Sequence, residues 1–147
     1  MTTYLCMISA ETSVITAKVA TSETVTAGEF VKAETSSDVV DGSTGLSTYA
    51  GADILTSPCD ANTDYPYTIG IVGCDGVATD LVPVYTEGLF IVRTEAAVTA
   101  GNALQKAEST DPAEVKALDS TYAEHMIGKA LTTASAADKY IVMLLRL

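Results

Sequence analysis

The chain carries one histidine, His125, so any Ser-His-Asp or Cys-His catalytic set would have to use it. No Gly-x-Ser-x-Gly elbow is present, and no cysteine lies close to it in sequence. His125 stands before Met126-Ile127-Gly128, which reads as a strand, so an ordinary strand-end or surface histidine is expected. Cys6, Cys59 and Cys74 are too scattered for a zinc site, which needs clustered Cys and His at short spacing. Their odd number and the lack of a CxxC read as reduced, half-buried thiols of a protein assembled in a cytoplasm. A Cys59–Cys74 disulfide is the alternative. Asp60-Ala61-Asn62-Thr63-Asp64 resembles the start of an EF-hand loop. However, Tyr65 stands where the turn glycine belongs and Ile71 where the bidentate glutamate belongs. An Asx-rich surface turn fits better than a looser calcium site. Nothing singles out a catalytic pair among the 19 acids, and no Trp offers a sugar platform. No catalytic residue, cofactor or metal is therefore expected. Tyr49, Tyr65 and Tyr67, with Pro66, form either a contact patch or a loop packed onto the body.

The elements that must hold these residues belong to a chain of 147 residues, enough for one domain or one domain plus an arm. Hydrophobic residues are 48% and mean hydropathy is +0.27, which supports a real core. Thr, Ala, Val, Gly and Ser dominate, a bias toward strands and turns. The net charge is -11, and the acidic block over residues 33–92 holds nine acids and no Lys or Arg. Such a chain repels phosphate polymers and anionic membranes, so neither nucleic acid nor membrane is expected as a partner. The longest apolar run lies at the C-terminus and is far below the ~20 residues a spanning helix needs. The apolar patch over residues 4–8 has no basic segment before it, so it does not read as a signal peptide.

The sequence repeats itself. Val25-Thr26-Ala27-Gly28 recurs as Val98-Thr99-Ala100-Gly101, each followed by Lys-Ala-Glu (Lys32-Ala33-Glu34 and Lys106-Ala107-Glu108). Downstream, Ile69-Gly70 matches Ile127-Gly128. At the same spacing Ala78 matches Ala136, Asp80 matches Asp138 and Val84 matches Val142. Thr-Ala-Gly after Val is a turn that opens a strand, because Gly accepts positive φ and its β-branched neighbours favour extension. The second copy is shorter in its middle, and the extra residues of the first copy fall in the acidic block. Two such units predict a small β-barrel or β-sandwich with pseudo-repeated strand units, short helical patches and an extended N-terminal arm.

Strands are expected over residues 5–8 and 13–20 in the arm, and over 30–34, 68–72, 81–85, 89–94, 103–106, 126–131 and 139–146 in the core. Tyr85-Thr86-Glu87-Gly88 reads as a hairpin between two of these. Pro83 is expected on an edge or at a strand start. Residues 45–55 read as short helix or loop. Residues 111–118 have an N-cap Asp and Pro at N1, so alone they read as helix, whereas the repeat makes part of them strand. The domain plan is an arm over 1–20 and a β-rich domain over 21–147, with residues 33–67 as a solvent-facing acidic insertion.

The stretch from Ile69 to Leu147 resembles the tailed-phage capsid decoration proteins. The elements that carry the resemblance are Ile69-Gly70-Ile71-Val72, the run from Val82 to Phe90, Val98-Thr99-Ala100-Gly101, Ile127-Gly128-Lys129-Ala130-Leu131, and the last strand ending in Leu147. The resemblance implies a homotrimer on the capsid outer surface that clamps neighbouring major capsid proteins. It also implies an N-terminal arm reaching onto the shell. Residues 1–20 suit that role, being β-prone and nearly uncharged. They are expected to add to a neighbour's sheet edge, with Tyr4, Leu5, Met7, Ile8, Val14 and Ile15 as the capsid-binding residues. The alternatives are a head-fibre base or other appended virion protein, and a small ligand-binding β-barrel.

Overall fold

The computed structural model describes residues 13–34, 54–119, 121 and 123–147. The expected strand over 5–8, Cys6, Tyr49 and nearly all of 45–55 lie outside the described residues. Among the described residues eleven strands follow one another: β1 (Ser13–Val19), β2 (Thr24–Val25), β3 (Phe30–Ala33), β4 (Leu55–Pro58), β5 (Thr68–Val72), β6 (Gly76–Val77), β7 (Leu81–Thr94), β8 (Ala103–Lys106), β9 (Glu114–Ala117), β10 (Gly128–Ala130) and β11 (Lys139–Arg146). The only helical pieces described are 3-10 turns at Tyr65–Tyr67 and Ala123–His125. The protein is mostly β, and none of its described helices is long and apolar enough to cross a membrane.

The pairings close two five-stranded rings. The first runs β1-β4-β3-β5-β7 and back to β1; the second runs β7-β11-β10-β8-β9 and back to β7. β7 belongs to both. Its residues Leu81 to Glu87 pair with β1, and Glu87 to Thr94 pair with β11. The expected hairpin at Tyr85–Gly88 is absent, because the two apolar runs are one strand of 14 residues. Gly88 lies at the handover with φ 142, a region that L side chains avoid, and this lets the strand pass between barrels without turning back. Pro83 is the third residue of β7, opposite Thr16.

The rings are copies of each other, and the repeat in the sequence is their trace. The pairs β1–β4 and β7–β9 are both parallel; β3–β4, β3–β5 and β5–β7 match the antiparallel β8–β9, β8–β10 and β10–β11. Gly28 and Gly101 sit at φ 92 and 93, each as the third residue of a turn closed from Glu29 N to Thr26 O or from Asn102 N to Thr99 O. The side chains of Glu29 and Asn102 fill the same role, accepting from Thr26 N at 2.8 Å and Thr99 N at 2.9 Å. The Val25–Gly76 pair corresponds to the Val98–Ala134 bridge.

Two matches read from the sequence are out of phase. Thr79 N donates to Val19 O as Asp138 N donates to Thr94 O, and Thr79 and Asp138 both have positive φ. The second turn is therefore one residue longer. Val84 corresponds to Met143, both pointing into a core, and not to the half-exposed Val142. Likewise Lys32 takes the place of Gln105, since Lys32 pairs with Ser57 as Gln105 pairs with Lys116.

Within residues 111–118 the repeat prevails over helix propensity. Residues Glu114–Ala117 form β9, and Asp111 Oδ1 accepts from Ala113 N at 2.9 Å, closing a turn rather than capping a helix. β4 carries no apolar alternation and was not foreseen. Thr56 and Ser57 are buried there, their hydroxyls bonded to Lys32 O at 2.9 Å and Glu34 Oε1 at 2.5 Å.

The N-terminal barrel is filled by small side chains: Ala17, Val19, Val31, Val72, Val82 and Val84. The C-terminal barrel is filled by larger ones, among them Phe90, Leu104, Ile141, Met143 and Leu145. Phe30 and Ile71 alternate with Val31 and Val72, so they point out of the N-terminal barrel. They are nonetheless buried, in one cluster with the second core. Full burial of each contributes about 2–3 kcal/mol to holding the barrels together.

The glycine of each Ile-Gly pair is needed because strands touch there. A Cβ on Gly128 would lie 2.2 Å from Leu144 O, and one on Gly70 would lie 2.4 Å from Tyr85 O. A Cβ on Gly101 would meet open space, so only its φ of 93 is at stake. Gly101→Ala is expected to cost about 1–2 kcal/mol. Gly128→Ala is expected to cost about 3 kcal/mol, because a backbone strand must move. Urea unfolding of the two variants checks this order, and equal losses would refute it.

Candidate docking surfaces

Of the six residues expected to bind the capsid, Tyr4, Leu5, Met7 and Ile8 lie outside the described residues. Val14 and Ile15 are on β1. Val14 is 53% exposed, whereas Ile15 packs against the N-terminal core. β1 is not a strand without a partner in its own domain. It pairs with β7 from Ser13 to Lys18 and with β4 at Lys18 and Val19, and Ala17 and Val19 are buried. Alternation of small apolar residues along 13–19 is a barrel signature, and the absence of charge that made this stretch look like an arm comes from that burial.

Several described acids of the block are held in turns or by neighbouring segments. Asp75 accepts from Ala27 N at 2.9 Å, Asp80 from Val77 N at 3.0 Å, and Glu87 from Ser13 Oγ at 2.9 Å. In the EF-hand-like segment, Asp64 Oδ2 takes Lys32 Nζ at 2.8 Å and Ala61 N at 3.0 Å, which closes an Asx-rich turn. Burial alone would lower the Lys32 ammonium, but the Asp64 carboxylate raises it. Tyr67 stands 64% exposed on the 3-10 turn that follows.

A second ionic group fastens the barrels. Arg93 on β7 binds Asp111, Glu114 at 3.0 Å and Asp138 at 3.4 Å, and its side chain is 14% exposed. This holds the β8–β9 connection so that Pro112 O accepts from Phe30 N at 2.8 Å, across the barrel boundary. Lys106 is fully buried beside it, donating to Ala107 O at 2.6 Å and Ser109 O at 3.1 Å. Burial pushes its ammonium down. These groups are tied into structural bonds. Among the described residues no three His, Cys, Asp or Glu side chains are placed to hold a metal.

His125 sits at the end of a 3-10 turn, with Nε2 3.9 Å from Glu124 Oε1. Cys59 and Cys74 are both free, so they are not joined. Cys59 is buried, its thiol pushed up to about 11 by burial, and Cys74 is exposed.

The open surface of the C-terminal barrel was not legible beforehand. β11 alternates inward Ile141, Met143 and Leu145 with outward Tyr140, Leu144 and Arg146. Tyr140 is 52% exposed, Leu144 37%, Leu131 48% and Met126 44%. Met126, Gly128, Lys129, Leu144 and Arg146 line a groove of about 310 Å³. In sequence, Tyr140 to Leu147 is one apolar run, and the run hides which half faces out.

Two fused β-barrels share a strand, and the outer face of the second carries an apolar groove. The chain belongs to the phage cement protein family, which matches it over residues 8–147. It is a structural component of the virion that binds the capsid. Among solved structures, the N base of head fibre gp8.5 of bacteriophage phi29 shares the fold. It has a TM-score of 0.54 at 16% identity and covers 92% of this chain and 94% of that one. No curated protein matches the sequence.

The two described thiols give a check on the core. Iodoacetamide at neutral pH is expected to modify Cys74 in the native protein and to leave Cys59 untouched until denaturant is added. Peptide mass mapping reads this out, and rapid native labelling of Cys59 would contradict its burial.

Proposed function

We propose that the protein binds the outer surface of a phage capsid as a homotrimer and stabilises it by bridging major capsid proteins, without catalysing a reaction. Membership of the phage cement family over residues 8–147 carries this reading. Several features support it. The charged clusters near the barrel boundary serve packing, the solitary His125 has no cysteine near it in sequence, and the strongly acidic chain is unsuited to phosphate polymers. Synthesis in the host cytoplasm agrees with the free Cys59 and Cys74.

Contact with the shell is assigned to residues N-terminal to β1, including Tyr4, Leu5, Met7 and Ile8, with Val14 at the exposed root of the segment. The arm proposed here ends at residue 12, because β1 is part of the first ring. The acidic insertion over residues 33–67 is assigned to the outward side. A second reading, the base of an appended head fibre, is favoured by the fold shared with the phi29 head fibre N base.

Deleting residues 1–12 is expected to leave the melting temperature within a few degrees of the full chain and to weaken binding to particles lacking the protein at least tenfold. Deleting residues 1–20 removes β1 and is expected to abolish folding. Co-sedimentation with particles and circular dichroism measure the two effects. Undiminished particle binding by the shorter deletion would move the docking site off the arm.

A further inference from the structure

The duplication gives the groove face of the C-terminal barrel a counterpart on the N-terminal barrel. In the N-terminal barrel, the outward residues of β3, β5 and β7 are Phe30, Ile71 and Tyr85. Phe30 is 0% and Ile71 1% exposed, because the C-terminal barrel lies over them, with the Tyr85 and Phe90 rings 5.7 Å apart. The equivalent positions on the C-terminal barrel follow from the pairings. Gly70 corresponds to Gly128, so Ile71 corresponds to Lys129, while Tyr85 corresponds to Leu144 and Glu87 to Arg146. These are the residues of the 310 Å³ groove. The face of the N-terminal barrel is thus occupied by the C-terminal barrel, whereas no described residue covers the equivalent face of the C-terminal barrel.

Charge distinguishes the two faces. Residues 13–87 hold eleven acids and two lysines, whereas residues 88–147 hold seven acids and six cations. Of those six, Arg93, Lys106 and Lys116 are engaged: Arg93 and Lys116 in ion pairs, Lys106 with backbone carbonyls. Lys129, Lys139 and Arg146 are exposed and make no ion pair among the described residues. All three lie on β10 and β11, and two of them, Lys129 and Arg146, line the apolar groove. An apolar centre with a cationic rim suits an acidic partner with an apolar centre of its own. The N-terminal barrel offers one at its β6–β7 turn, where Val77 is 58% and Leu81 63% exposed beside Asp75 and Asp80.

We propose that the groove formed by Met126, Lys129, Leu144 and Arg146 receives the acidic N-terminal barrel of a second copy of this chain. The contact is head-to-tail: different surfaces meet, so repetition closes a ring or extends a chain. It rests on the self-association proposed above and gives it a surface. Complementary charge at the rim sets the register, and the apolar centre supplies the affinity.

The test is the mass of the full-length protein by sedimentation velocity over a range of concentrations and salt. The wild type is expected to sediment as an oligomer that loosens in high salt, as screened rim charges require. Leu144→Glu and, separately, Arg146→Glu are expected to weaken association at least tenfold while the melting temperature holds. Met126→Ser serves if Leu144→Glu fails to fold. A wild type that stays monomeric at every concentration overturns both the self-association and this surface. A wild-type oligomer whose mass survives Leu144→Glu and Arg146→Glu overturns the surface alone. Groove variants that still associate but lose particle binding assign the groove to the capsid and overturn the proposal.

Discussion

Everything in this molecule hangs on one strand serving two barrels. β7 runs from Leu81 to Thr94, and the same alternate residues face inward along its length: Val82 and Val84 into the first barrel, Phe90 and Val92 into the second. A strand shared in this way leaves no flexible linker between the halves. It also leaves no unpaired edge along β7, where β1, β5, β9 and β11 all attach. Gly88 relieves the backbone where partners change. Phe30, Ile71 and Tyr85 then fill the space between barrels. A capsid-bound clamp must transmit load from one contact to another, and a shared strand does so through backbone hydrogen bonds.

The duplicated barrels have diverged in ways that fit different duties. The turn before β11 gained a residue relative to the turn before β7, yet Met143 still occupies the place of Val84, so the core was kept at the expense of the loop. The first barrel carries small valines and most of the negative charge. The second carries bulkier core residues and most of the cations. Its short β8–β9 connection, held by Arg93, reaches the first barrel through Pro112 and Phe30. The corresponding β3–β4 connection of the first barrel is the long, acidic one.

The buried polar groups belong to this fastening. Lys106 has no exposure, so its ammonium is held by carbonyls of the β8–β9 connection rather than by water. Arg93 is shared among three carboxylates from different segments. Such clusters fix one geometry more than they add stability, since desolvation offsets much of the attraction.

Local physics made much of the fold legible. Thr-Ala-Gly turns need positive φ, Ile-Gly pairs need a missing Cβ, and β-branched runs need extension. Each requirement is met within a few residues, so the repeat and most strands could be read from sequence, and the family resemblance with them. What tertiary structure decided lies where partners are distant. Tyr85-Thr86-Glu87-Gly88 has hairpin residues, but β1, β5 and β11 hold it straight. Residues 114–117 have helical neighbours, but β7 and β8 draw them into a ladder. Residues 13–19 look like a free arm until β7 pairs with them. The open groove of the second barrel is the least legible of all. Leu144 and Met143 are equally apolar, and only closure of the ring determines that one packs inside while the other is left for a partner.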